Sequence, residues 1–409
     1  MSLINICKTM IFSARKSHRQ AVARRKEKGE KNFIHFVDYY SMNKKSQANK
    51  WKSVQLTKEK KNEIDQFYID NYGKKVRYDW HRLYAYYNGT INKTYIPSPI
   101  YLSEIEPFFN MYSHYNDALE DKSLTPLIME SVQIRTPYTI YSSHDNLITD
   151  HHMNIVEKDV FLREMQSIGE VFIKPTSGTC GGRGCFKCNV KNGIDLISGE
   201  PIEKILRTSG NYFTVQEVIK NHKSISEIYD KSLNTFRVVT YRWKDSIYNA
   251  PVIMRMGRNG ATVDNASSGG IFIGVYNNGK LRKYAYEDYM SPSKGIPQHP
   301  DSGIKFADYK IISIENVIET ARKAHRTLPK IGLVNWDFCL DETGTPILIE
   351  ANIVRGEGND FVSVAWEQGL FGEHTAEILQ WARVMKTLKI QEREKYIFGT
   401  GDWEKLLKK

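Results

Sequence analysis

The chain has 409 residues, a net charge of +11 and five cysteines, and together these exclude several classes of protein. Residues 1–50 hold 12 Lys or Arg and 3 Asp or Glu, so they carry most of the charge and leave a nearly neutral body. A neutral body argues against a nucleic-acid enzyme with a basic channel, and an odd cysteine count argues against a disulfide framework and favours a reducing cytoplasm.

The amino-terminal segment, residues 1–55, is predicted to be a basic arm outside the folded body. Its lysines and arginines follow or alternate with apolar residues such as Leu3, Ile6 and Phe12. Such a segment is either an amphipathic helix on an anionic bilayer surface or a solvated, partly disordered arm. No run of 18 apolar residues occurs, and a cleaved secretory signal is not expected. We expect a cytoplasmic protein, with peripheral contact to the inner face of the membrane through residues 1–50 as one alternative.

Apolar periodicity predicts an α+β body that starts at about residue 56. The predicted regions are a mostly helical or α+β amino-terminal lobe at 56–150, a small α+β lobe at 151–220, a larger antiparallel lobe at 221–388 and a charged tail at 389–409. The small lobe followed by a larger sheet that carries acidic residues describes a clamp around a nucleotide.

The individual elements follow from the spacing of apolar residues and from the turn residues between them. Within the first lobe, Pro97 and Pro99 predict an irregular link. The predicted helices cover residues 58–72, parts of 102–120, 159–165, 201–208, 314–328 and 372–386. The predicted strands cover residues 171–174, 185–190, 212–218, 235–243, 250–256 and 270–276, followed by a hairpin at 337–352.

A short apolar strand that ends at Lys174 runs into a glycine-rich loop, with the sequence VFIKPTSGTCGGRG over residues 171–184. Lys174 would place a fixed positive charge near phosphate oxygens, and Gly181 and Gly182 would let backbone N–H groups close over them. The loop is not a Walker A loop, because no Gly-Lys-Ser/Thr follows the glycines. It is not a Rossmann fingerprint either, because the spacing differs and a lysine precedes the loop. A simple turn is the alternative interpretation.

The sequence NWDFCLDETGTPILIEAN, residues 335–352, predicts two adjacent antiparallel strands that aim three oxygen ligands at one point. Asp337 lies on the first apolar run, Glu350 and Asn352 lie on the second, and residues 341–344 supply the turn. Glu350 and Asn352 are two residues apart, so they share a face of the sheet. Oxygen ligands suit Mg²⁺, which takes its other ligands from water and nucleotide phosphates. The alternative is a pair of solvated residues at a strand end.

These motifs, in this order, resemble an ATP-grasp enzyme and, more narrowly, the sugar-transfer-associated ATP-grasp family found in bacterial surface-polysaccharide clusters. The likeness runs from about residue 57 to 385. The step from Asp337 to Glu350 and Asn352 also resembles the metal ligands of D-alanine:D-alanine ligases. Besides Lys174 and the metal triad, the shared motifs are Trp80-His81, Tyr95-Ile96-Pro97, Asp121-Lys122, residues 215–218, residues 232–237, Asp264-Asn265, Gly269-Gly270 and His299-Pro300.

The resemblance implies an ATP-grasp fold, in which two α+β lobes clamp ATP with Mg²⁺ or Mn²⁺. Lys174 would contact the α- and β-phosphates, and Arg237 would steady the transferred phosphate. The implied nucleotide-binding residues are Lys174, Gly181, Gly182, Gln216, Glu217, Val218, His222 and Arg237. Those implied on the side of the second substrate are Arg255, Asp264, Asn265, Gly269 and Gly270.

The implied reaction is that of a carboxylate–amine ligase. A carboxylate attacks ATP to give an acyl phosphate and ADP, and an amine then displaces phosphate to leave an amide; a sugar or surface-polysaccharide precursor would be modified with an amino acid. D-alanine:D-alanine ligases have an arginine two residues before the metal aspartate, where this chain has Asn335. Either Arg255 or Arg355 takes that role, or the acceptor chemistry differs. The alternatives are a kinase of a small molecule or sugar and a non-catalytic nucleotide-binding component of a glycan assembly complex.

Overall fold

The structure, a computed structural model, describes residues 50–111, 116–145, 147–177, 184–288, 294–354 and 356–408. The basic arm at 1–49, Gly181, Gly182 and Arg355 lie outside the described residues. The predictions made for them therefore stay predictions.

The first lobe is helical, as predicted, and its first helix has clear boundary signals. Thr57 caps that helix by accepting from the backbone N–H of Lys60 at 3.2 Å, and Gly73 ends it with φ +84°, which only glycine adopts easily. The helices of this lobe are α1 Lys58–Tyr72, α2 Asp79–Asn88, α3 Ser98–Ile100, α4 Glu106–Asn110, α5 Asn116–Glu120 and α6 Leu124–Glu130.

The predicted irregular link is confirmed at Pro97, since residues 91–97 form neither helix nor strand, but it is wrong at Pro99. Pro99 lies in the first turn of α3, where proline is tolerated because its missing N–H would have no helical partner. A wider helical turn at Tyr101–Ile105 joins α3 to α4, so the chain stays helical from Ser98 to Asn110.

The small lobe is a six-stranded antiparallel sheet in the order β2-β1-β6-β3-β4-β5 with two helices against one face. Strands β1 and β2 precede residue 151, so the sheet begins before the predicted domain boundary. Sequence inspection missed them because both are short and flanked by polar residues. Its elements are β1 Thr139–His144, β2 Leu147–Asp150, α7 Lys158–Met165, β3 Gly169–Pro175, β4 Phe186–Lys191, β5 Ile194–Asp195, α8 Ile202–Thr208 and β6 Tyr212–Gln216.

The large lobe is built on an antiparallel sheet in the order β11-β10-β9-β7-β12-β13, with β8 paired to β7. Its strands are β7 Thr235–Trp243, β8 Ser246–Asn249, β9 Val252–Met256, β10 Ile271–Val275, β11 Leu281–Tyr286, β12 Leu333–Leu340 and β13 Pro346–Asn352. Its helices are α9 Lys223–Ser226, α10 Ile314–Arg326, α11 Gly358–Trp366, α12 Thr375–Thr387 and α13 Ile390–Arg393. Short 3-10 turns occur at Lys50–Ser53, Ala266–Ser268, Gly372–His374, Glu394–Gly399 and Trp403–Lys408.

The two faces of the large sheet have different partners. Side chains such as Phe236, Val238 and Trp336 pack in the core that contains the buried residues of α10. The opposite face, with Val239 and Phe272, belongs to a core shared with the amino-terminal helices. Alternation along each strand therefore sends one set of residues to α10 and the other toward the first lobe.

The segment predicted as a charged tail, residues 389–409, packs onto the body. Trp403 is fully buried, and Phe398 is buried as well. The Trp381 indole N–H donates to the Tyr396 carbonyl at 2.7 Å, which ties this segment to α12. The aromatic residues spaced among its charges carry this packing, and their signal is weak in a sequence because they fall in short 3-10 turns.

Candidate active site

The predicted hairpin is confirmed, and its register brings the acidic residues together. Asp337 on β12 pairs with Glu350 on β13 and with Arg237 on β7, while Asn335 pairs with Asn352. Residues directly opposite each other in antiparallel strands point to the same side, so these five side chains share one face of the sheet. A bulge between Asp337 and its neighbour adds local twist beside the site.

Asp337 is buried and is held by two arginines. Its carboxylate accepts from Nε of Arg237 at 2.6 Å and from Nη2 of Arg237 at 3.1 Å, and Nη2 of Arg255 lies 3.0 Å from its second oxygen. Burial works against the charged carboxylate, but the two guanidinium groups hold the pKa of Asp337 below its ordinary value. The result is a compact, fully ionised cluster at neutral pH.

Arg255 is held in place by a second carboxylate, that of Asp264. Nη2 of Arg255 donates to the Thr235 hydroxyl at 2.7 Å, and Nε lies 3.7 Å from the Asp264 carboxylate. Asp264 also accepts from the Thr235 backbone N–H at 3.0 Å. Burial opposes the charged guanidinium, yet Asp264 and Asp337 raise the pKa of Arg255 above its usual value. Asp264 is only 6% exposed, so its contacts position Arg255 in this structure.

The other residues implied on the second-substrate side shape the loop before β10. The Asn265 carbonyl accepts from the Ser268 and Gly270 backbone N–H groups, each at 3.0 Å. Gly269 has φ +97°, and a Cβ on Gly270 would lie 2.4 Å from the Asp264 carbonyl oxygen. Both glycines are therefore required by the backbone path of this loop.

Glu350 faces a pair of lysines across the cleft between the lobes. Its Oε1 lies 2.9 Å from Nζ of Lys122, and the Glu350 side chain is 30% exposed. Lys174, at the end of β3, is buried, and a pocket between the lobes is lined by Lys122, Lys174, Gln216 and Glu350. Burial, reinforced by the nearby Lys122 charge, lowers the pKa of Lys174 to about 8 despite the presence of Glu350. This part of the cleft thus gathers positive charge from Lys122 and Lys174.

The segment predicted to hold adenine follows β6 at the junction of the lobes. Gln216 is buried, and its amide donates to the Thr139 hydroxyl at 2.9 Å, while Val218 is half-buried beyond the strand. The Glu217 carboxylate accepts from the Tyr138 backbone N–H at 2.9 Å. A Glu217 bond to the exocyclic amine of adenine would have to share or replace that contact.

His222, predicted to reach the ribose, caps the short helix α9. Its Nδ1 accepts from the Ser224 backbone N–H at 3.1 Å. Its backbone N–H donates to the Leu340 carbonyl at 2.9 Å, which ties it to the end of β12. A contact with the ribose would therefore use Nε2.

The position of Asn335 leaves no room for the arginine found in D-alanine:D-alanine ligases, because the loop after Asn352 packs against it. The side chain is fully buried. A Cβ on Gly356 would lie 1.9 Å from its Nδ2, and a Cβ on Gly358 would lie 2.5 Å from its Oδ1. An arginine at this position would have to displace the loop. Of the two proposed substitutes, Arg255 reaches Asp337.

The oxygen donors on this face suit Mg²⁺ brought in with a nucleotide better than a preformed metal cage. Within the described ranges, no group of three His, Cys, Asp or Glu could hold a metal ion. Asp337, Glu350 and Asn352 nevertheless share one face in adjacent register. Magnesium usually takes only one or two protein carboxylates and completes its octahedron with water and phosphate oxygens. The donor set fits that pattern, provided that the arginine and lysine contacts rearrange.

Two residues of the site were missed by sequence reasoning. Lys122 appeared only as part of a shared motif, although its ammonium group contacts Glu350. Glu120 was not identified, although its carboxylate accepts from the backbone N–H groups of Ile353 and Val354, each at 2.9 Å. Both contacts span more than 200 residues of sequence, so no local pattern could indicate them.

Comparison with known families decides the assignment. The family model described as sugar-transfer associated ATP-grasp matches residues 102–378, more than half of the chain. The chain belongs to this ATP-grasp family. The predicted fold class, α+β with a helical amino-terminal lobe, is thereby confirmed. No curated protein matches the chain.

Solved structures similar to this ATP-grasp chain include several ligases. VanG D-Ala:D-Ser ligase from Enterococcus faecalis matches with a TM-score of 0.39 and 13% identity over 64% of this chain and 60% of its own. D-alanine–D-alanine ligase from Bacillus anthracis matches with a TM-score of 0.37 and 13% identity over 68% and 69%. An Aspergillus clavatus N5-carboxyaminoimidazole synthase, solved with ADP and 5-aminoimidazole ribonucleotide, matches with a TM-score of 0.38 and 12% identity over 64% and 52%.

The structure also bears on the membrane question. In the part of the chain that it describes, no helix is both long and apolar enough to cross a bilayer.

Proposed function

We propose that this ATP-grasp protein is an ATP- and magnesium-dependent ligase that activates a carboxylate as an acyl phosphate and couples it to an amine. The observation that carries the proposal is the buried Arg237–Asp337–Arg255 cluster, set in register beside Glu350, which lines a pocket together with Lys174. Such fixed cations next to metal-ligating carboxylates stabilise the charge that develops during phosphoryl transfer.

In the proposed mechanism, each charged group has a separate task. Lys174 of the small lobe and Lys122 of the amino-terminal lobe bind phosphate oxygens, and Arg237 steadies the phosphoryl group as it moves. Asp337, Glu350 and Asn352 would hold Mg²⁺ or Mn²⁺. The metal would neutralise phosphate charge during attack by the carboxylate. The acyl phosphate must then be shielded from water, which is the proposed role of the glycine-rich lid.

Arg255 is the proposed donor to the tetrahedral oxyanion in the second step. It lies on the same face as Asp337, and Thr235 and Asp264 fix its orientation. A pre-oriented guanidinium is effective because no reorganisation is needed when the negative charge forms. Arg255 thereby compensates for Asn335, which is enclosed beneath the loop.

The proposed substrates are an amino acid and a sugar or surface-polysaccharide precursor, an assignment that rests on the family. The basic arm at 1–50 is proposed to bring the enzyme to an anionic membrane surface on the cytoplasmic side, where lipid-linked glycans are assembled. No nucleic-acid partner is proposed, because the body of the chain is nearly neutral.

A kinase is the second candidate, and Asn335 is the observation that favours it. Phosphate transfer to a hydroxyl group forms no tetrahedral carbonyl intermediate, so it would not need an arginine at that position. The non-catalytic alternative is disfavoured because Asp337, Glu350 and Asn352 together supply the oxygen donors proposed for the metal.

Product analysis separates these candidates. The protein is incubated with ATP, magnesium, mixed amino acids and nucleotide sugars, and products are identified by mass spectrometry. A ligase forms ADP and phosphate only when both a carboxylate and an amine are present, and it yields an amide. ADP together with a phosphorylated hydroxyl compound would replace the ligase proposal with the kinase, and no turnover with any combination would contradict both.

The depressed pKa of Lys174 predicts a pH-dependent nucleotide affinity. Near and above pH 8 the free protein loses the Lys174 proton, whereas bound phosphates favour the charged form. Binding then takes up a proton, and the affinity for ATP should fall by about tenfold per pH unit above 8. Isothermal titration from pH 7 to 9.5 measures this fall. Lys174→Arg should flatten the profile, because a guanidinium stays charged. Lys187→Arg is the control, because Lys187 is an exposed residue of β4. A flat wild-type profile would contradict the role of Lys174.

A further inference from the structure

One turn of the amino-terminal lobe contacts three parts of the site. This turn, Glu120–Lys122, joins α5 to α6. Its side chains reach the metal-binding strand β13 and the loop that follows it. Its backbone reaches the small lobe beyond β3. The amino-terminal lobe is therefore part of the architecture of the cleft.

The Glu120 carboxylate binds the loop that follows the predicted metal site. One carboxylate oxygen accepts from the backbone N–H of Ile353 at 2.9 Å and from that of Val354 at 2.9 Å. These residues come directly after Asn352, the last predicted metal ligand. Hydrogen bonds from N–H groups to a carboxylate are charge-assisted and stronger than those between neutral groups. The backbone direction of the chain after Asn352 is thus set by a side chain from another lobe.

Lys122 makes one contact on each side of the cleft. Its ammonium group lies 2.9 Å from the Glu350 carboxylate. Its backbone N–H donates to the carbonyl of Thr176 at 2.8 Å, two residues beyond Lys174. The same short turn therefore joins the strand end of the small lobe to the metal-binding hairpin of the large lobe.

The turn itself is stiff. Asp121 accepts from the backbone N–H of Ser123 at 2.8 Å and from that of Leu124 at 3.3 Å, which caps α6. The backbone N–H of Thr125 returns to the Asp121 carbonyl at 3.0 Å. Leu119, which precedes the turn, is buried. A turn with a fixed backbone keeps the groups that are hydrogen-bonded to it in one place.

We propose that Glu120 is a positioning residue of the active site, which fixes the loop after Asn352 so that the metal ligands and the second-substrate side keep their reactive geometry. The inference rests on the proposed function for its catalytic consequence. It adds a role for the amino-terminal lobe, which contacts this loop through Glu120.

Hydrogen exchange and turnover together test the proposal on the full-length protein. Three variants are compared with the wild type: Glu120→Ala removes the acceptor, Glu120→Gln keeps a carbonyl oxygen that can accept from both N–H groups, and Glu130→Ala is the matched control. Glu130 lies at the end of α6, and its side chain is 64% exposed. The readouts are exchange at the Ile353 and Val354 amides, the dissociation constant of a non-hydrolysable ATP analogue, and kcat.

We expect Glu120→Ala to change the geometry of the loop after Asn352 and the rate, but not the binding of the ATP analogue. Glu120→Ala should lose protection at both amides and lower kcat by about tenfold or more, because misplacement of about 1 Å can cost that much in rate, while the analogue binds within about threefold of wild type. Glu120→Gln and Glu130→Ala should keep the protection and most of the activity. Unchanged exchange in Glu120→Ala, equal loss in the Ala and Gln variants, or a weakening of analogue binding as large as the loss of kcat would overturn the proposal.

Failure of the proposed function would look different. If the wild type shows no turnover but Glu120→Ala alone loses amide protection, the structural role of Glu120 stands and the ligase assignment fails. If the wild type turns over and Glu120→Ala does so at the same rate, the ligase assignment stands and Glu120 is not a positioning residue.

Discussion

Replacing Glu350 with glutamine should abolish ATP turnover while leaving the free energy of unfolding nearly unchanged. The substitution keeps the size of the side chain but removes the negative charge proposed to bind the metal, a loss expected to cost about two to three orders of magnitude in kcat. The structural cost is small because the side chain is 30% exposed and pairs with Lys122 at the edge of the cleft. Pairs of this partly exposed kind contribute about 0–1 kcal/mol.

Steady-state ADP release and denaturant unfolding measure the two effects. Glu342→Gln is the matched control, because Glu342 is an exposed residue in the turn of the same hairpin. The control should keep full activity. Wild-type turnover in Glu350→Gln would remove Glu350 from the metal site, whereas equal inactivation of the control would show that the hairpin is simply sensitive to charge.

Replacing Asp337 with asparagine should abolish turnover and also destabilise the fold. The Asp337 side chain is only 4% exposed and compensates Arg237 and Arg255, whose side chains are 6% and 7% exposed. Removing one member of a buried ion-pair network leaves uncompensated charge and typically costs about 3–5 kcal/mol. The sequence alone predicts little loss of folding for this variant, since the triad reads as a set of ligands in an open cleft, and the burial of Asp337 corrects that expectation.

Unfolding curves of Asp337→Asn and Glu350→Gln, recorded under the same conditions, provide the comparison. We expect the two variants to be similarly inactive but to differ in unfolding free energy by several kcal/mol. The double variant Asp337→Asn/Arg255→Met should recover part of the lost stability without recovering activity, because it removes one of the stranded charges. Equal stability of the two single variants would contradict a buried cluster.

The antiparallel hairpin and the shared face of Asp337, Glu350 and Asn352 could be predicted from sequence because the information is local. Asp337, Glu350 and Asn352 lie on two apolar runs separated by a polar turn, and the alternation of strand residues decides which side chains share a face. The same alternation places Arg237 with Thr235 and Val239. The structure confirms these relations through the pairing of β7, β12 and β13.

The neighbours of that hairpin could not be predicted, because they come from distant segments. Nothing near Asp337 in sequence indicates that Arg255 and Asp264 complete a buried charge network around it. Glu120 and Lys122 reach the site from the amino-terminal lobe, where the shared motifs do not indicate a contact with the hairpin. Burial of individual polar groups depends on such tertiary contacts, and a sequence pattern reports only the average environment of a residue type.

The role of glycines was only partly visible in the sequence. No structural role was predicted for Gly356 and Gly358, because single glycines after a strand are common. They are required because the loop passes directly over Asn335, where any Cβ would collide with its amide group. The presence of Asn335 in place of an arginine was visible in the sequence, but the loop that encloses its side chain is seen only in the packing.

A crystal structure with Mn²⁺ and a non-hydrolysable ATP analogue tests the central claim most directly, because the anomalous signal of manganese locates the metal independently of the protein map. We expect manganese to lie within coordination distance of Glu350 and of Asp337 or Asn352. The polyphosphate of the analogue should also contact Lys174. A polyphosphate bound elsewhere, or Asp337 and Glu350 still closed onto their arginine and lysine partners with no metal beside them, would contradict it.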